Sequence, residues 1–165
     1  MFFKKKKRYF LDRIVVASKS ESAGSFFGFG EGGAKETLVK IACSNIELPR
    51  LQSVSNLEPN DIGVDIVVSD YSLGGQGSID IGDFGFFFFS RPKVKLVART
   101  FNAMSKVTIN EYTIVQNMSW SKYIKRTISI KRMFSFKPQF DNADLSIVLI
   151  GACIKLLKKI KASNS

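Results

Sequence analysis

A chain of 165 residues is the size of one domain and can bury an ordinary core, and a 45% hydrophobic content excludes a wholly disordered polymer. With 25 Lys and Arg against 14 Asp and Glu, the net charge of +11 favours phosphate-rich partners over acidic ones. Histidine is absent, which excludes Ser-His and Cys-His catalysis, imidazole metal sites and the commonest general base.

Residues 1–10 form a cluster of cations, Lys4, Lys5, Lys6, Lys7 and Arg8, bracketed by Phe2, Phe3, Tyr9 and Phe10. Leu11 to Ala17 is too short, and too interrupted by Asp12 and Arg13, for the apolar core of a secretory signal. Lysines with interleaved aromatics suit anionic lipid headgroups, or RNA through phosphate contacts and base stacking; the sequence does not separate the two. Residues 18–33 are dominated by Ser and Gly, the composition of a flexible linker. Gly28, Gly30 and Gly33 match a Gly-x-Gly-x-x-Gly spacing, but the strand, helix and βαβ context that a dinucleotide site needs is missing.

Residues 34–44 read as a short helix or strand, and Leu48, Leu51, Val54 and Leu57 as a helical turn or packed loop. Ile62 to Ser69 reads as a strand with Ile62, Val64, Ile66 and Val68 on one face. Gly74, Gly75 and Gly77 predict a turn that folds it against Ser78 to Phe89 as a hairpin. Five aspartates between Asp61 and Asp83 give this region an acidic surface, without the spacing of a metal loop. From Phe84 to Arg132 the pattern is of three strands. Val94, Leu96 and Ala98 alternate with Lys93, Lys95 and Arg99; Val107 to Gln116 is rich in β-branched and aromatic residues; Tyr123 to Arg132 sets Ile124, Ile128 and Ile130 against basic and polar neighbours. Trp120 is expected to pack at a sheet edge or partner surface, with the core preferred. Asp141 or Asn142 can cap a helix to about Lys161, with Leu145, Val148, Leu149, Ala152, Leu156 and Ile160 on one face; a strand from Ile147 to Ile154 is the alternative. That apolar stretch is shorter than the ~20 residues that span a bilayer.

The expected fold class is α+β. Residues 1–33 form a disordered basic arm, and residues 34–165 a single β-rich domain, mainly an antiparallel sheet, with a C-terminal helix. Charge is segregated: residues 43–90 carry one cation against seven acids, and residues 91–137 eleven cations against Glu111 alone. Such polarity suits head-to-tail contact between copies. Cys43 and Cys153 are too few for a disulfide framework and lie among apolar residues, as buried free thiols do. No metal, cofactor or enzymatic activity is expected.

A Lys-rich aromatic N-terminus at Lys4 to Arg8, a Gly/Ser arm, then a small basic β-rich domain ending in an apolar, Lys-rich segment is an order that resembles the matrix proteins of negative-strand RNA viruses, the rhabdovirus type in particular. The resemblance implies a non-enzymatic structural protein that bridges ribonucleoprotein and membrane and self-associates, in the virion and host cytoplasm, peripheral to a membrane and not secreted. It implies that Lys4, Lys5, Lys6, Lys7 and Arg8 contact lipid or RNA, and that Lys93, Lys95, Arg99, Lys125, Arg126, Lys131 and Arg132 form a surface for RNA or nucleoprotein. The budding motifs Pro-Pro-x-Tyr and Pro-Thr/Ser-Ala-Pro are missing, which leaves recruitment of budding machinery without a carrier. The alternative is a nucleic-acid-binding protein such as a plant-virus movement protein.

Overall fold

The structure is a computed structural model that describes residues 7–17, 31–53, 55–81, 84–127 and 140–163, with the backbone alone for 31–35, 75–81, 84–89 and 126–127. In chain order its elements are β1 (Tyr9–Val16), α1 (Glu31–Asn45), a 3-10 turn (Leu51–Ser53), β2 (Ile62–Ser72), β3 (Gly75–Ile81), β4 (Phe84–Ser90), β5 (Lys93–Asn102), β6 (Thr108–Asn117), α2 (Trp120–Thr127) and α3 (Asn142–Ser163). The fold is α+β. β1, β2, β5 and β6 form one sheet in that order, and β3 and β4 pair only with each other among the described strands.

The sheet is mixed, not purely antiparallel. β1 runs parallel to β2, while β2–β5 and β5–β6 are antiparallel. Parallel neighbours need a crossover, and α1 lies in the connection that supplies it. The basic arm expected over residues 1–33 is corrected for part of its length. Tyr9–Val16 is an edge strand, with Phe10 and Leu11 in the core, and α1 begins at Glu31. The reason lies in the sequence 9–16, where Leu11, Ile14 and Val16 pack into the main core and Phe10 into a second, smaller one. A strand so short, with a bulge between Leu11 and Arg13, shifts its alternation midway and hides the strand pattern. Lys4, Lys5, Lys6 and residues 18–30, with Gly28 and Gly30, lie outside the described residues.

One face of the sheet is apolar and covered by α1 and α3. Val64, Ile66 and Val68 of β2, Val94, Leu96 and Ala98 of β5 and Tyr112 of β6 meet Leu38, Ala42, Leu145, Val148, Leu149, Ala152 and Leu156 in one cluster. The alternation read in Lys93–Arg99 is the observed one: Val94, Leu96 and Ala98 are buried, Lys93 and Lys95 exposed, and Arg99 half-buried. α3 buries the face predicted at helical spacing, and Asp141 caps it. The Asp144 backbone N–H donates to Asp141 Oδ1 at 3.1 Å, and the Asp141 N–H donates back to Asp144 Oδ2 at 3.3 Å. This reciprocal cap is worth about 1 kcal/mol and settles helix over strand for this segment.

Two further expectations are corrected. Ile62–Ser69 does not fold back on Ser78–Phe89: β3 and β4 continue β2 and β5 outward, and the chain reverses between Ile81 and Phe84. Gly74, at φ 72°, makes the step from sheet to ribbon, where an added Cβ would run into the Ser90 carbonyl oxygen. Tyr123 onward is not a strand either, because Trp120–Thr127 is helical and residues 128–139, with Lys131 and Arg132, lie outside the described residues. Ser119 stands at the N-cap position, and its carbonyl accepts the Tyr123 N–H at 3.0 Å.

Both cysteines are free thiols. Cys153 is fully buried in the α3 packing face, and burial pushes its pKa up from 9.0 to about 11. Cys43 is half-buried, with the Arg50 guanidinium donating to its Sγ at 3.2 Å. A thiol reagent at pH 8 is therefore expected to label Cys43 in the folded chain and Cys153 only after denaturant; two fast-reacting thiols without denaturant would contradict this packing. Because the folded thiol holds its proton to a higher pH than the unfolded one, the Cys153 contribution to stability falls as pH rises from about 9 towards about 11. The difference between wild type and Cys153→Ala isolates that slope.

Candidate functional site

The uncovered face of the sheet carries a row of charges. Asp65 of β2 is buried between Arg13 of β1, whose Nε is 3.3 Å from Oδ1, and Arg99 of β5, whose guanidinium donates to Oδ2 at 2.5 Å. Register puts Glu111 of β6 next to Arg99. At the β1 start, Asp61 is 1% exposed and accepts from Arg8 Nε at 2.8 Å and Arg8 NH2 at 2.6 Å. The hydrogen bond to Asp61, partly offset by desolvation, holds the Arg8 guanidinium pKa above its usual value. Phe10, Leu51, Phe101 and Ala103 make the second core beside this pair.

These pairings correct the expected division of labour. Asp61 and Asp65, assigned to meet a basic patch on another copy, are spent on Arg8, Arg13 and Arg99 of their own chain. Arg8 and Arg99, assigned to lipid or RNA, are the partners they hold. Lys7 and Arg8 also stand at the opposite end of the sheet from Lys93, about 30 Å away along the ten residues of β5. The described cations of the two expected basic surfaces, Lys7 with Arg8 and Lys93, thus lie at opposite ends of the sheet.

The other end of the sheet gathers a different set. Where β4 passes into β5, the Arg91 guanidinium donates to the Met118 carbonyl at 3.0 Å and lies 4.2 Å from the centre of the Trp120 ring. The Met118 N–H donates to the Pro92 carbonyl at 2.8 Å, closing the junction between the strand ends. Trp120 meets Tyr123 edge to face at 5.7 Å, and Tyr123 stacks on Phe140 at 5.3 Å, so the exposed ring is anchored to a buried one. Trp120 itself is 57% exposed, contrary to a core position. A cation against its face explains how an indole is kept there.

Lys122 and Lys125 are exposed on α2, the helix that Trp120 opens, with Ile124 47% exposed between them, and Lys93 and Lys95 are exposed at the start of β5, which follows Arg91. Lys93 is paired with Asp70 at 2.9 Å. The β3–β4 ribbon leads away from the same end, and β4 holds five phenylalanines in seven residues, with Phe86 in register with Ile79. Of the residues expected to bind, Lys93 and Lys95 stand at the start of β5 and Lys125 on α2, with the backbone of Arg126 beside Lys125. Arg91, Trp120 and Lys122 were not singled out from the sequence as binding residues. Arg91 and Trp120 lie 29 positions apart, and only the β5–β6 register joins them; the Arg-Pro step after the phenylalanine run was the available signal.

Among the described residues, no group of three or more His, Cys, Asp and Glu is placed to hold a metal ion, and no helix is long and apolar enough to cross a membrane.

No protein-family model matches the chain, and no curated protein does. Three solved structures align with it at low scores. A Xanthomonas campestris protein of DUF330 has a TM-score of 0.45 at 11% identity over 93% of this chain and 80% of that one. A hypothetical protein of Chlamydia trachomatis has 0.39 at 8%, over 94% and 96%. A minor lipoprotein of Acinetobacter baumannii has 0.32 at 11%, over 96% and 94%. These three are bacterial proteins, and the expectation of a viral matrix protein bridging ribonucleoprotein and membrane is corrected, as is that of a plant-virus movement protein. The N-terminal strand belongs to the core, and Asp61 and Asp65 of the acidic middle are paired with arginines of their own chain. At such identities and scores the likenesses assign no activity.

Proposed function

We propose that this chain is a non-enzymatic module that attaches to an anionic lipid surface by the ribbon end of its sheet. The observation that carries the proposal is Trp120, exposed beneath Arg91 at the base of a phenylalanine-rich ribbon, with exposed Lys122 and Lys125 on the same short helix and exposed Lys95 on β5. Aromatic rings with cations beside them suit the headgroup layer, where an indole is half-desolvated and each basic residue gains ~1 kcal/mol from an anionic leaflet. Contact is assigned to the base of the ribbon, since Asp80 puts a negative charge near the far end of β3. The absence of histidine and the consumption of Asp61 and Asp65 in ion pairs support a binding role over a catalytic one.

Co-sedimentation with phosphatidylglycerol and with phosphatidylcholine vesicles tests this, with single-stranded RNA in parallel. Wild type is expected to pellet with the anionic vesicles, more weakly at high salt. Lys122→Ala with Lys125→Ala should weaken binding roughly 30-fold, two residues at ~1 kcal/mol each. Unaltered binding by that variant, or pelleting with RNA and not with vesicles, would overturn the proposal.

A further inference from the structure

We infer that β6 is a self-pairing edge, through which two copies of this chain join their sheets about a two-fold axis at Thr113. β1 has its outer edge partly covered, since Leu11 bridges to Arg50 and its N–H donates to the Pro49 carbonyl at 2.8 Å. β6 has no such cover: among the described residues no strand pairs with its outer side, and seven of its ten residues are exposed, Tyr112 alone being buried. It is ten residues long, rich in β-branched residues, with one charge and no proline, the make-up of an edge that accepts another strand.

The direction of its free backbone groups follows from the ladder. The Met118 N–H donates to the Pro92 carbonyl, and in the unbroken register from there to Thr100 the even-numbered residues of β5 and β6 bond to each other. The N–H and C=O groups of Glu111, Thr113 and Val115 therefore point to the open edge. An antiparallel copy centred on Thr113 sets Thr113 opposite itself and Glu111 opposite Val115 of the second copy. Lys95 stands next to Val115 in register, so Glu111 of each copy shares a row with Lys95 of the other.

That row is what selects a second copy over an unrelated strand. Within one chain, Glu111 and Lys95 are both exposed and neither makes an ion pair among the described residues. They stand two rows apart on their own sheet, and the two-fold brings them into one row twice over. The row through the axis continues Val97, Thr113, Thr113 and Val97, a β-branched strip on the face that α1 and α3 leave uncovered. An isologous contact of this kind closes at two subunits.

Sedimentation velocity over a range of concentrations tests the inference. Wild type is expected to move from 18.4 kDa towards twice that mass as concentration rises. Thr113→Pro removes an outward N–H and no bond within the chain, so it should hold the protein monomeric with its folded circular dichroism intact. Glu111→Lys should weaken the dimer at least tenfold, and Glu111→Lys with Lys95→Glu should restore it. A monomeric wild type at about 100 µM, well above the µM range of ordinary specific association, or a dimer untouched by Thr113→Pro, would overturn the assignment.

Discussion

Gly63→Val is expected to leave the protein largely unfolded at 37 °C, and Gly63→Ala to lose about 2–3 kcal/mol. Gly63 of β2 stands between Phe10 of β1 and Phe101 of β5 in the register of the sheet. The Phe101 ring, wholly buried, lies directly over the glycine, and an added Cβ would run into its ring carbons. The ring cannot swing out, because Arg99 and Lys106 hold cations over it at 5.1 and 4.8 Å and the second core encloses it. At about 2–4 °C per kcal/mol for a chain of this size, the alanine variant should melt roughly 5–10 °C lower. Gly63→Ala combined with Phe101→Leu should cost less than the two single changes added together, since the smaller side chain makes room. Additive costs would mean that the ring is not what excludes the Cβ.

Asp61→Ala should cost about 2–3 kcal/mol, with Asp61→Asn at roughly half that. Asp61 ties three separate pieces of chain, two of them through its carboxylate. It accepts both Arg8 bonds and the Glu58 N–H at 2.6 Å, while the Asp61 backbone carbonyl takes the Ala103 N–H at 2.8 Å. Asparagine keeps an acceptor for the Glu58 N–H and loses the ionic partner of Arg8, so the two variants separate the turn from the ion pair. Arg8 is 45% exposed and can turn to water when its partner is gone, which keeps the loss below that of a fully buried pair. Urea unfolding of the three proteins checks the order; equal stability of wild type and Asp61→Ala would show that the β1 start is held by the Phe10 contacts alone.

What the sequence discloses here follows from the range of the interaction. The strand at Ile62, the alternation from Lys93 to Ala98 and the helix from Asn142 are carried by patterns within a few residues, and each lies where those patterns put it. In the sequence β1 reads as part of the basic arm, because its bulge and its neighbouring lysines mask eight strand residues. Tyr123, buried in a helix, sits in a stretch whose isoleucines alternate like a strand, and tertiary packing on Phe140 fits the helical reading. The site was legible in its ingredients, Lys93, Lys95 and Lys125 among them, but not in its grouping. Asp61 with Arg8 and Asp65 with Arg99 are paired over 53 and 34 positions, and no local pattern reports such pairs. Without them the acidic middle looks available to a partner.

Trp120 is the only tryptophan, so its fluorescence reports on the proposed lipid contact without labelling. The most direct measurement is its emission on titration with phosphatidylglycerol vesicles carrying brominated acyl chains. Attachment by the ribbon end predicts a blue shift and quenching that is strongest for bromines placed near the headgroups, both weakened in Arg91→Ala and in Lys122→Ala with Lys125→Ala. Protein that pellets with the vesicles while Trp120 emission stays unshifted and unquenched would place the lipid contact elsewhere and contradict the account.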